Sequence, residues 1–197
     1  MRNLSTGVII AAIFCAKPGL TDTTDTGLYG TPPPADSVFI RWIGDDAPWS
    51  EPVWGSSLAE RDLPANTYIA ISAGFFTNIS PGGYYSIIPI ESAQVAIISE
   101  PPRERASKVH LILLNADDSD ASVVVSGGGP GVIDEVAPKT AAIRAVNPVT
   151  ATLQVVASHG SKEFDVTLRR GQNITFVVVG DDIMMIPNTF GPVVVAK

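Results

Sequence analysis

The chain contains two histidines and a single cysteine, so the chemistry open to it is narrow. His110 lies inside an apolar run, Val109 to Leu114 (VHLILL), and His159 sits in a loop-like Ser158-His159-Gly160-Ser161. Nucleophilic catalysis needs a base held against a hydroxyl or thiol. No serine here occupies a G-x-S-x-G turn, and the side chains of Ser158 and His159, adjacent on extended backbone, diverge. Cys15 falls in an N-terminal apolar run. Asp165, between Phe164 and Val166, reads as a solvated strand residue, and no catalytic residue is assigned. Ser126-Gly127-Gly128-Gly129-Pro130-Gly131 lacks the lysine and helix start that make a glycine loop a phosphate cradle, and reads as a turn. The acid pairs Asp45-Asp46, Asp117-Asp118 with Asp120, and Asp181-Asp182 have the hard oxygens for Ca²⁺. None has the glycine-bearing loop of a dedicated site, and turn aspartates are the favoured reading. No metal or cofactor is expected.

Recognition chemistry is better represented. All three tryptophans, Trp42, Trp49 and Trp54, fall close together. Trp42 shares a strand face with Val38 and Ile40 and belongs to a core. Trp49 and Trp54 flank Ser50-Glu51-Pro52-Val53, a loop where a large ring either stacks on a sugar or anchors a protein interface; core packing is the competing reading. Arg41 alternates away from the apolar face of its strand. With Tyr29, these residues (Arg41, Trp49, Trp54) are the candidate partner-binding set.

The elements that must position them are strands. The chain has 197 residues, 45% hydrophobic and 17% charged, with 17 Gly and 16 Pro, and a mean hydropathy of +0.24. Many turns between short apolar segments fit an all-β protein and exclude a helical bundle or a disordered tail. Strand patterns run Val38–Ile43, Tyr68–Ser72, Tyr84–Ile90, Gln94–Ile98, Val109–Leu114, Ala121–Val125, Ala141–Ala145, Thr152–Ala157, Phe164–Leu168 and Ile174–Val179, with turn signals between them. Glu100-Pro101-Pro102-Arg103-Glu104-Arg105 interrupts the pattern with two prolines and four charges and reads as an interdomain linker.

The two halves resemble degenerate copies. Val38 to Asp46 (VFIRWIGDD) parallels Val109 to Asp118 (VHLILLNADD), and Pro81 to Ile88 (PGGYYSII) parallels Arg170 to Val177 (RGQNITFV). The expected architecture is therefore two tandem small antiparallel β-sandwich domains, 28–100 and 106–197, after a signal segment, 1–19. A single larger sandwich with a proline-rich crossover is the alternative. The signal reading rests on Arg2 followed by an apolar stretch from Gly7 to Ala16, too short to span a bilayer as a helix, with cleavage expected between Ala16 and Thr26. Lipid attachment at Cys15 is disfavoured by Phe14 before it. The mature chain would then hold no cysteine, so disulfides and thiolate metal sites are excluded.

Formal charge is −7, and processing would remove Arg2 and Lys17 but no acid. Nucleic acid, anionic lipid and acidic polysaccharide are all repelled by such a field.

Leu28-Tyr29-Gly30, a proline-rich step and Ser37-Val38-Phe39-Ile40-Arg41, followed by Glu100-Pro101-Pro102 and Lys108-Val109-His110-Leu111-Ile112-Leu113-Leu114-Asn115, resemble the AlgF family of periplasmic alginate O-acetylation proteins. The resemblance implies a periplasmic accessory protein of two β-sandwiches without catalytic residues. It implies partners among periplasmic and membrane polysaccharide acetyltransferases, no stable membrane insertion after processing, and a polymer that need not be alginate. Two readings follow: a non-catalytic adaptor of the acetylation machinery, or a carbohydrate-binding β-sandwich module. An acetyltransferase in its own right lacks a nucleophile.

Overall fold

The computed structural model describes residues 32–44, 63–72, 79–90, 94–103 and 107–194, the side chain of Pro192 excepted. The proposed signal segment, Tyr29, Trp49 and Trp54 lie outside the described residues. The described part is all-β, with thirteen strands: β1 (Ser37–Trp42), β2 (Thr67–Ser72), β3 (Tyr84–Pro89), β4 (Val95–Glu100), β5 (Val109–Asn115), β6 (Ala121–Val125), β7 (Gly131–Val136), β8 (Thr140–Val146), β9 (Thr150–Ala157), β10 (Gly160–Thr167), β11 (Asn173–Val179), β12 (Asp182–Pro187) and β13 (Thr189–Val194). They form a first sheet ordered β13-β2-β1-β3-β4, a second ordered β12-β11-β5-β8 and a third ordered β10-β9-β6-β7.

Alternation along β1 sorts its side chains to two environments. Val38, Ile40 and Trp42 join Leu63, Ile69, Ile71, Ile87 and Val194 in one core, so Trp42 is a core residue as its strand face predicts. On the other face Ile43 joins Ile88, Ala96 and Ile98 of the first sheet region and Ile112, Leu114, Ala116, Val177 and Ile186 of the second. The opposite face of the second sheet supplies Val109, Leu111, Leu113, Ile174, Phe176, Val178 and Ile183 to a third core. Ala121, Val123, Ile133, Val136, Leu153, Val155, Val166 and Leu168 meet them there. The second sheet is thus covered on both faces, which is why β5 (VHLILLN) is buried at every position and β11 (NITFVVV) at its five central ones, a near-continuous apolar run rather than an alternating one.

The repeat read from the sequence is realised in hydrogen bonds. In the first sheet β1 lies antiparallel to β2 and parallel to β3, and β3 is antiparallel to β4. In the second, β5 lies antiparallel to β8 and parallel to β11, and β11 is antiparallel to β12. Phe39 faces Tyr84 as His110 faces Asn173, and Arg41 faces Ser86 as Ile112 faces Thr175. The turns that enter β3 and β11 match as well. Gly83 N donates to Ser80 O and Gln172 N to Arg169 O, around Gly82 and Gly171 at φ 78° and 76°, a left-handed conformation that glycine adopts without a Cβ penalty.

The all-β fold of two tandem β regions is as expected, and three features add to it. The first and second sheets are mixed rather than purely antiparallel, because each central pair, β1–β3 and β5–β11, joins strands separated by a crossover instead of a hairpin, whereas the third sheet is antiparallel throughout. Residues 106–197 do not close on themselves, since β13 returns to pair in parallel with β2 of the first sheet. Residues Pro33–Lys197 accordingly form one compact unit. Finally, the charged segment read as a linker begins with Glu100 and Arg103, whose side chains are only 1% and 9% exposed.

Candidate functional site

Arg41, a candidate partner-binding residue on the sequence, is fully buried. Alternation rightly turns it away from Val38 and Ile40. That second face, however, is where the second sheet packs, so the guanidinium enters an interior and must be satisfied there. Arg41 Nε and Nη2 both donate to Ser86 Oγ at 3.1 Å, and Nη2 also to Glu100 Oε1 at 3.2 Å. Nη1 donates to Thr175 Oγ1 at 3.2 Å and to Asn188 Oδ1 at 2.9 Å.

These partners are supplied by the repeat. Ser86 and Thr175 hold equivalent positions on β3 and β11. Glu100 pairs with Tyr84 across β3–β4, and Asn188 donates its backbone N–H to Asn173, the residue equivalent to Tyr84. One arginine therefore takes a hydroxyl and a carbonyl-type oxygen from each half of the chain. At the position equivalent to Arg41 stands Ile112, so the arrangement is built once.

Glu100 is the acceptor at the centre. Tyr68 Oη lies 2.8 and 2.7 Å from its two oxygens, Ser86 Oγ donates to Oε1 at 2.6 Å, and Arg103 Nη2 donates to Oε2 at 3.1 Å and to Tyr68 Oη at 2.7 Å. Burial of the Tyr68 phenol, reinforced by the adjacent Glu100 carboxylate, holds its pKa far above the usual phenol range. The phenol stays protonated and donates.

Beyond this cluster the same face of the first sheet becomes aromatic. Phe39 stacks on Tyr84 with centroids 4.6 Å apart, and Phe190 of β13 stacks on Tyr68 at 5.4 Å. Arg103 lies 3.7 Å over the Tyr84 ring and 4.8 Å over Tyr68, and Arg41 is 4.2 Å over Tyr68, cation–π contacts strengthened by desolvation. Phe190 is 55% exposed, while Phe39 and Tyr84 are half-buried. Sequence reasoning missed Tyr68, Ser86, Glu100, Arg103, Thr175, Asn188 and Phe190. The available signal was an arginine on an otherwise apolar strand face, which demands a buried acceptor.

Each histidine contacts a partner of its own. His110 is buried with Nδ1 2.9 Å from Asn173 Oδ1, and His159 Nδ1 lies 3.3 Å from Asp117 Oδ2. Among the described residues no group of three or more metal-ligating side chains occurs, and no helix is long and apolar enough to cross a membrane. The Gly127-Gly128 segment forms the β6–β7 turn with both glycines at positive φ.

The resemblance to the AlgF family extends along most of the chain. The chain is 25% identical to "Alginate biosynthesis protein AlgF" of Pseudomonas aeruginosa, covering 93% of this chain and 88% of that protein. It is 24% identical to the protein of that name from Pseudomonas syringae pv. tomato, over 88% of this chain and 84% of the relative, and 26% identical to that of Azotobacter vinelandii, over 79% and 78%. Two solved structures align with parts of it. The C-terminal domain of AlgF from P. aeruginosa gives a TM-score of 0.37 at 22% identity, covering 41% of this chain and 98% of that domain. The N-terminal domain gives 0.34 at 20%, covering 44% and 99%. No family model matches the chain.

Proposed function

We propose that this AlgF-like chain is a non-catalytic periplasmic adaptor for O-acetylation of a secreted, alginate-like polysaccharide, holding acetyltransferases together by protein contacts. The observation that carries the reading is its likeness, over most of its length, to several proteins named for alginate biosynthesis. The residue inventory supports it, since His110 and His159 are engaged by Asn173 and Asp117 rather than by a hydroxyl nucleophile.

The carbohydrate-binding alternative is less well supported. A sugar platform presents open ring faces, whereas Tyr84 carries Phe39 on one contact and Arg103 on another, and Tyr68 is buried. The charge of −7 also opposes a polyuronate.

The test is genetic and chemical. Deleting the gene should lower the acetyl content of the polymer, and the wild-type copy should restore it. The purified protein should neither hydrolyse an acetyl ester nor form an acetyl adduct. Polymer acetylation unchanged by the deletion, or an acetyl-enzyme detected by mass spectrometry, would reject the adaptor role.

A further inference from the structure

Arg103 is nine-tenths buried, and among the described residues its Nε and Nη1 have no hydrogen-bond acceptor. Buried guanidinium donors without acceptors are costly and call for a partner. Arg103 also leaves the cluster, among the described residues, with two guanidinium groups against the single carboxylate of Glu100, an excess of positive charge in a protein of −7. The rings beside it, Phe39, Tyr84 and Phe190, continue a sheet face whose other end is covered by the second sheet through Ile43, Ile88 and Ile98. Among the described residues the core shared with the second sheet does not extend to these rings, and Phe190 stands 55% exposed.

We infer that this aromatic end of the first sheet is a docking surface for a protein segment that brings a carboxylate to Arg103 and an apolar side chain to Phe190. The inference rests on the adaptor reading and names the surface that reading needs. Charge complementarity selects the carboxylate. Contact energy at protein interfaces concentrates in aromatic and arginine residues near the centre of a patch, which is the composition found here. Ring stacking within the cluster selects a protein segment over a sugar: Phe39 and Arg103 engage Tyr84, and Phe190 lies against Tyr68, leaving ring edges and one phenylalanine to be met by irregular apolar side chains. Pro192 in β13, at the outer edge of the sheet, lacks a backbone donor and opposes main-chain pairing there, so the segment docks by its side chains.

The experiment uses full-length protein in a strain lacking its own copy. A photo-crosslinking phenylalanine analogue at position 190 should give a covalent adduct with a polysaccharide acetyltransferase, identified by mass spectrometry. The same probe at Val156, 36% exposed on β9 of the third sheet, should not. Phe190→Glu should cut acetylation of the polymer by about tenfold or more while leaving the melting curve near wild type, and Phe190→Trp should retain it. Arg103→Gln should act in the same direction; if it fails to accumulate, Phe190→Glu decides. A folded Phe190→Glu protein that supports wild-type acetylation overturns the inference, although the deletion phenotype would still stand for the adaptor role. Loss of the deletion phenotype itself would instead remove that role. NMR shifts at Phe190 and Arg103 on titration with an oligouronate, without a protein adduct, would overturn the protein assignment in favour of a sugar.

Discussion

Arg41 is a fully buried charge held by partners from both halves of the chain. Removing one partner of a buried pair leaves the other charge desolvated and costs about 3–5 kcal/mol, whereas replacing both can be nearly neutral. Arg41→Met should therefore destabilise the protein by roughly that amount, and the double variant Arg41→Met, Glu100→Met by less than the sum of the single changes. Arg103 would still lack its carboxylate in the double variant, which keeps the remaining cost above zero. Urea denaturation of the four proteins measures the coupling. Tyr68 gives a second, pH-dependent signature. Its folded pKa is raised, so its contribution is fully present below the unfolded value of about 10 and is lost as pH rises above it, because the unfolded chain then releases a proton that the folded chain retains. Absorbance titration should show Tyr68 un-ionised until unfolding, and Tyr68→Phe should flatten the fall in stability above pH 10. At this scale alternation revealed which way Arg41 points. It could not reveal what covers that face, since the acceptors lie 45 to 147 residues away along the chain.

Among the elements, the central strands of both halves were legible because their apolar runs are long and their entry turns carry glycine. Strands β12 (DIMMIP) and β13 were not, since proline and acidic residues interrupt short patterns there. Yet β13 completes the first sheet. Its Gly191 lies so close to β2 that an added Cβ would stand 2.9 Å from Thr67 Cγ2 and 3.0 Å from Ile69 Cδ1. Gly191→Val adds further methyl groups at that contact and should cost about 1–3 kcal/mol by overpacking. The loss should appear in thermal melting together with greater hydrogen exchange in β2. Substitution at Gly127, whose Cβ would meet nothing within 4 Å but whose φ is +75°, should cost only the backbone strain of a left-handed conformation, about 1–2 kcal/mol.

For the whole molecule, internal similarity in the sequence pointed to two β regions and the prolines at 101 and 102 to a boundary. What the pattern could not convey is that the equivalent faces of the two repeats are turned toward each other. Each strand face that reads as core requires a cover, but a sequence does not say whether the cover comes from the same repeat or from the other. Ile43, Ile88 and Ile98 meet Ile112, Leu114 and Val177, Arg41 is held by both halves, and β13 crosses from one to the other. These three links predict that the halves do not separate when the connection between them is cut. A protease site placed at residues 104–106 should yield two fragments that co-elute as one particle in size-exclusion chromatography and melt in a single transition. Leu114→Ala, which opens a cavity at a fully buried position and costs about 2–5 kcal/mol, combined with Arg41→Met should loosen that particle and split the melt in two. Fragments of the wild-type sequence that part on cleavage and each retain a folded circular-dichroism spectrum would instead make the repeats independent domains, with the Arg41 cluster a local feature of the first sheet.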